Sequence, residues 1–177
     1  MLRSEALWTQ PREECPEPGR WHSPDEYATE DEVTRFLAAL CVLLRPRRVL
    51  ETGTYRGDTA EAMGKALMGY GELESLEVDP SRATAARARV RGLPVSVINC
   101  HSLQWPVEAY DLMFFDSDPV VRPQEMRRFA RPGAVWALHD ARWPEVQESL
   151  RQLRTDGVID CWTYLPTPRG LALGRYP

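Results

Sequence analysis

From Thr29 onward the chain carries apolar residues at helical spacing. Val33, Phe36, Leu37, Leu40, Leu43 and Leu44 predict one amphipathic helix that Pro46 stops. Thr29 with Glu32 three residues later has the form of a capping box at its start. Short apolar runs then alternate with helical patterns. Strands are expected over residues 49–52, 73–78, 95–98, 110–115 and 134–138. Between them fall helices opened by Asp58 and Glu61, by residues 81–91 with Asp79 as cap, and by residues 123–130. Pro144 suits the first turn of another helix, ending near Gly157. Residues 158–165 and 170–176 close the chain as two strands joined by a short Pro/Gly turn.

Strands that alternate with helices imply a parallel sheet covered on both faces. The last two strands are joined too closely for a crossover, so they must form an antiparallel hairpin. The predicted fold is a doubly wound α/β domain with a mostly parallel seven-stranded sheet and a C-terminal antiparallel hairpin. Two segments are expected: an irregular arm over residues 1–28 and a single domain over residues 29–177. The arm holds Pro11, Pro16, Pro18 and Pro24 with Trp8 and Trp21, a composition that suggests packing on something.

The 177 residues are enough for one sizeable core. Lys+Arg 22 against Asp+Glu 26 leaves a net charge of −4, which argues against bulk electrostatic binding of nucleic acid. No apolar run approaches the roughly 18 residues of a membrane span. The N-terminal residues lack an apolar signal core, so a cytoplasmic protein is expected. Cys15, Cys41, Cys100 and Cys161 have no metal-ligand spacing. The last three sit in apolar stretches and are expected to be buried, reduced thiols. Trp105, Trp136 and Trp162 are expected in the core.

Ligands of such sheets bind beyond the carboxyl ends of the strands. The turn after the first strand holds Gly53 and Gly57. A dinucleotide fingerprint would place glycines at 53, 55 and 58, where this chain has Gly53, Tyr55 and Asp58. The Asp58 carboxylate would compete with a pyrophosphate for the helix N-terminus. A cofactor without phosphate, preferably carrying positive charge, suits the turn better.

Glu51 followed by Gly53 and Gly57 resembles the first motif of the class I S-adenosylmethionine-dependent methyltransferases. Glu77 and Asp79 at the end of strand two, residues 110–118 and residues 132–140 resemble later motifs of that family, in family order. The resemblance implies S-adenosylmethionine as cofactor. It places Glu51 near the amino-acid end, Glu77 at the ribose, Gly53 and Gly57 at the close approach, and Asp116 beside the cofactor. Tyr55 stands where the family often has a middle glycine. His101 and Ser102 follow strand three, where the adenine is expected.

Asp116 ends strand four, and His139 and Asp140 end strand five, so neighbouring strands should bring the three together. Among small-molecule O-methyltransferases of this type, similar positions hold a divalent metal. The resemblance therefore implies a Mg²⁺-type ion on Asp116, His139 and Asp140, although a histidine departs from that ion's preference for oxygen. Two other readings stay open: His139 as a general base, or a hydrogen-bonded His-Asp pair that closes the strand. The expected function is methylation of a hydroxyl on a small-molecule acceptor. The arm, the loop over residues 118–123 or a second subunit in a homo-oligomer is expected to cover that acceptor. The alternatives are a non-catalytic S-adenosylmethionine-binding scaffold and a nucleic-acid methyltransferase. The second is disfavoured because Ser117-Asp118-Pro119-Val120 lacks the base-methylase motif and no Pro-Cys pair is present.

Overall fold

Every strand but the last runs the same way, because each of the first five links passes through a helix or a long loop rather than a tight turn. The structure, a computed structural model, describes residues 21–23 and 27–177. The elements in chain order are α1 (Asp31–Leu44), β1 (Arg48–Thr52), α2 (Asp58–Leu67), β2 (Glu72–Glu77), α3 (Pro80–Arg89), β3 (Val95–Asn99), β4 (Leu112–Phe115), α4 (Arg122–Phe129), β5 (Val135–His139), α5 (Pro144–Thr155), β6 (Trp162–Leu165) and β7 (Leu171–Arg175). They form one seven-stranded sheet in the order β3-β2-β1-β4-β5-β7-β6. β7 runs antiparallel to both β5 and β6, and the other pairings are parallel. The expected architecture is the observed one.

Successive residues of the central strands feed opposite cores. Val49, Leu112 and Phe114 pack with α1 and α2 through Leu37 and Met63. Leu50, Met113 and Phe115 face the other way, toward Phe129 and Leu150 of α4 and α5. All four residues of β4 are buried, as expected of a strand covered on both faces. Trp136 is fully buried and crosses β7 opposite Gly174, where an added Cβ would lie 2.3 Å from its Cζ2. Trp105 and Trp162 are partly buried against the same core.

Several local expectations are corrected. Thr29 does not cap α1: the N-cap is Glu30, and the Thr29 hydroxyl donates instead to Asp116 Oδ2 at 2.7 Å. The N-cap of α2 is Gly57, with Asp58 and Glu61 in its first turn, where Asp58 pairs with Arg89 and Glu61 with Lys65. Asp79 caps α3, accepting from the backbone N–H groups of Ser81 and Arg82. β6 begins at Trp162 rather than 158, because the Val158 and Ile159 amides turn back to the Leu153 carbonyl at the end of α5. Cys41 is buried, but Cys100 is only partly covered and Cys161 is exposed, all three as free thiols. Among the described residues no helix is long and apolar enough to cross a membrane. Trp8, Cys15 and most of the arm lie outside the described residues.

Candidate functional site

The strand order reverses between β1 and β4, and a cavity of about 480 Å³ opens there beyond the carboxyl ends. Its size suits a small ligand, and its position is the switch point where open α/β sheets bind them. The loop leaving β1 forms one wall. Gly53 (φ 84°) and Tyr55 (φ 51°) both adopt the left-handed region. At Gly53 a Cβ would lie 2.3 Å from the Asp116 carbonyl oxygen, so no side chain fits between the loop and the end of β4. Gly57 is pressed against Ala86 of α3 and starts α2, behind the cavity wall.

Glu77 holds that loop. Its Oε2 accepts from the Tyr55 backbone N–H at 2.7 Å, and its Oε1 from that of Asp79 at 2.9 Å. The side chain is buried yet lines the cavity. Across from it stand His101 and Ser102. His101 Nδ1 accepts from the Leu103 N–H at 3.2 Å, which leaves a proton on Nε2 of the neutral ring. Glu51 is not on the wall. It lies fully buried beneath the loop, where Ser75 Oγ donates to its Oε2 at 2.5 Å and Thr54 Oγ1 lies 2.6 Å from Ser75 Oγ. Burial pushes the Glu51 carboxyl up to about 8, outweighing the Ser75 bond, so it is largely protonated at pH 7.

The structure does bring Asp116, His139 and Asp140 together, within a larger cluster. Asp116 Oδ1 lies 2.9 Å from His139 Nδ1 and 3.1 Å from Arg122 Nη2. His139 Nε2 lies 2.5 Å from Glu30 Oε2. Asp140 contacts Arg122 Nη2 through Oδ2 at 2.8 Å and accepts from Arg169 Nε through Oδ1 at 2.5 Å. Glu30 Oε1 accepts from the Arg169 backbone N–H at 3.1 Å. Burial alone would lower the His139 pKa, but Asp116, Glu30 and Asp140 outweigh it and push it up to about 10. Burial likewise opposes ionisation of Glu30 and Asp140, yet His139 and the arginines hold both carboxyls below their ordinary range. These contacts favour the protonated imidazole, which is buried with a carboxylate oxygen beside each nitrogen. It does not line the cavity, and no ring nitrogen is left to take a proton. That arrangement disfavours His139 as a general base.

By distance alone one ligand atom each from Asp116, His139 and Asp140 could hold an ion, since these atoms lie within 4.8 Å of one another. Their chemistry does not fit one. Each imidazole nitrogen already faces a carboxylate oxygen, and the Asp116 and Asp140 oxygens already face guanidinium, imidazole or hydroxyl groups. Sequence reasoning missed Thr29, Glu30, Arg122 and Arg169. No local signal marks Glu30, Arg122 or Arg169, and Thr29 read as a helix cap; only the tertiary fold assembles them.

Tyr27, Ala28 and Thr29 also line the cavity, as do Asp118 and Trp143. The segment before α1 is fastened there by Thr29 to Asp116 and by Glu30 to His139, and within it the Ser23 hydroxyl donates to the Ala28 carbonyl. The Tyr27 and Tyr55 rings stand 6.2 Å apart across the opening.

No protein-family model and no curated protein matches the chain. Solved structures match over almost its whole length at low identity. An SAH-bound methyltransferase from Podospora anserina aligns over 98% of this chain and 88% of that chain, with 17% identity and a TM-score of 0.76. An O-methyltransferase from Streptomyces achromogenes, involved in tomaymycin synthesis and in complex with SAM, aligns over 99% and 91%, with 20% identity and a TM-score of 0.72. An O-methyltransferase from Bacillus cereus in complex with SAH aligns over 100% and 93%, with 17% identity and a TM-score of 0.73. The fold is that of the Rossmann-like methyltransferases.

Proposed function

We propose that the chain is an S-adenosylmethionine-dependent methyltransferase that acts on a hydroxyl of a small-molecule acceptor. The observation that carries this reading is the Gly53–Tyr55 loop, clamped by Glu77 over a cavity at the β1/β4 switch point. The folds it resembles hold SAM or SAH, which supports the same choice of cofactor.

The residues present fit that cofactor. Glu77 offers carboxylate oxygens to ribose hydroxyls while keeping the loop in place. His101 presents an Nε2–H, and Ser102 a hydroxyl, where a base edge can meet them. Glu51 acts from below as a neutral acid that sets Ser75 and Thr54, not as a charge facing the cofactor. When bound, S-adenosylmethionine supplies an electrophilic methyl group on a positively charged sulfur. The chain's own contribution is then chiefly positioning and the exclusion of water.

The acceptor side is walled by Tyr27, Thr29, Asp118 and Trp143. Tyr27 and Trp143 offer apolar faces, and the Asp118 carboxylate, which accepts from the Val120 N–H, is open to solvent. The segment before α1 thus contributes to the acceptor side, as part of this reading. Calorimetric titration with S-adenosylhomocysteine tests it. One equivalent should bind, and the Glu77→Ala variant should bind at least tenfold more weakly. Binding of NADH with no response to S-adenosylhomocysteine would refute the proposal.

A further inference from the structure

We infer that the guanidinium of Arg122, backed by Arg169, stands where a divalent metal would otherwise sit, so that this chain's acceptor edge is built to work without one. Arg122 Nη2 touches both Asp116 and Asp140, at 3.1 and 2.8 Å, and so bridges the two carboxylates that an ion would have to bridge. The side chain is anchored on its other nitrogens as well. Its Nε donates to the Ser117 carbonyl at 2.6 Å and its Nη1 to the His139 carbonyl at 2.8 Å. It is buried at the first residue of α4, and swinging it aside would break all of these contacts together.

Charge leads to the same conclusion. Arg122 and Arg169 already set two permanent positive charges against the Asp116 and Asp140 carboxylates. A divalent ion would need carboxylate oxygens at about 2.0–2.6 Å. Both oxygens of Asp116 and Oδ1 of Asp140 carry hydrogen-bonding partners, and Asp140 Oδ2, which accepts no hydrogen bond, has only the Arg122 guanidinium against it at 2.8 Å. An ion there would lie against a buried guanidinium that cannot lose its proton. Metal entry would therefore require expelling Arg122 and leaving its charge without partners, a strongly unfavourable exchange in a buried site.

The methyltransferase reading supplies the reason to care about this position, but the metal question is measured apart from it. Manganese titration of the full chain near pH 7, followed by the electron spin resonance of free Mn²⁺, should show no stoichiometric binding. Mg²⁺, Mn²⁺ and EDTA should all leave the melting temperature unchanged. Arg122→Ala removes the guanidinium that bridges the two carboxylates and leaves Asp140 Oδ2 with no cation on it, so it should gain Mn²⁺ binding at least tenfold tighter than the parent, lost again on adding Asp116→Asn. If Arg122→Ala does not fold, Arg122→Gln makes the same test, because its shorter neutral side chain also leaves the bridge.

Two results would overturn the inference. One is a single Mn²⁺ bound by the unaltered chain and abolished by Asp116→Asn. The other is a folded Arg122 variant that still binds none. S-adenosylhomocysteine titrated in EDTA keeps the two proposals separable. Its failure to bind would count against the methyltransferase reading alone, whereas Mn²⁺ binding at Asp116 would count against this one alone.

Discussion

His139 Nε2 lies 2.5 Å from Glu30 Oε2, across 109 residues of sequence and with both side chains buried. This contact joins the segment before α1 to the end of β5. Removing one partner of a buried ion pair strands the other charge, which typically costs about 3–5 kcal/mol. Glu30→Ala should therefore lower unfolding stability by about that much, measured by urea titration at pH 6. A loss below about 1 kcal/mol would mean that the pair is solvated and does not fasten the segment.

The same contact sets a pH dependence. The His139 pKa is raised from 6.5 to about 10 on folding, so its contribution is complete below about pH 6.5 and lost as pH rises through 10. Glu30 is shifted the opposite way, so its share is present above about pH 4.5 and lost as pH falls through its lower folded value. Glu51 is raised from 4.5 to about 8, which favours the folded state below 4.5 and withdraws that support as pH rises through 8. Stability should thus decline from about pH 5 toward 10. Glu51→Gln should flatten the lower part of that decline, and His139→Gln the upper part. Urea midpoints across the range, at constant ionic strength, check both.

How much of this was legible in the sequence depended on the range of the interaction. The sheet was legible because the run over residues 112–115 and the helical spacing from Val33 to Leu44 are local signals. Asp79 capped its helix as its position implied, because a cap is satisfied within three residues. Thr29 misled for the opposite reason. Its hydroxyl had a capping partner nearby, but a carboxylate 87 residues away took it instead. The placement of Asp116, His139 and Asp140 at neighbouring strand ends followed from topology, whereas Arg122 and Arg169 did not. An arginine in an N-terminal helical turn or a Pro/Gly turn looks solvated until the fold buries it. The Glu51 position was likewise read by motif alone, and only the structure shows a buried acid under the loop, its carboxyl pushed up by burial.

Gly53 and Gly92 offer a matched comparison. Both have φ of +84°, but a Cβ at Gly92 meets nothing within 4 Å, whereas at Gly53 it meets the Asp116 carbonyl oxygen at 2.3 Å. Gly92→Ala should cost only the left-handed backbone penalty of about 1–2 kcal/mol. Gly53→Ala should add a steric cost of about 1–3 kcal/mol, since that backbone neighbour must move. Melting curves of the two variants give the difference directly, and equal losses would show that β4 yields without cost.

Glu77 separates loop support from ligand binding. Its two carboxylate oxygens accept the Tyr55 and Asp79 amides, so Glu77→Ala leaves two backbone donors without their partner. Hydrogen bonds to a charged group are worth about 1.5–3 kcal/mol, so a stability loss within that range is expected. Glu77→Gln keeps one oxygen for one amide but turns an NH₂ toward the other, so it should lose roughly half as much. For S-adenosylhomocysteine the same order should hold, because a ribose hydroxyl can donate to the remaining amide oxygen. Affinity should fall at least tenfold in Glu77→Ala and only a few-fold in Glu77→Gln, read by calorimetry beside the melting temperatures. If both variants lost stability as stated but bound S-adenosylhomocysteine as tightly as the parent, Glu77 would be a clamp for the loop and not a ligand of the ribose.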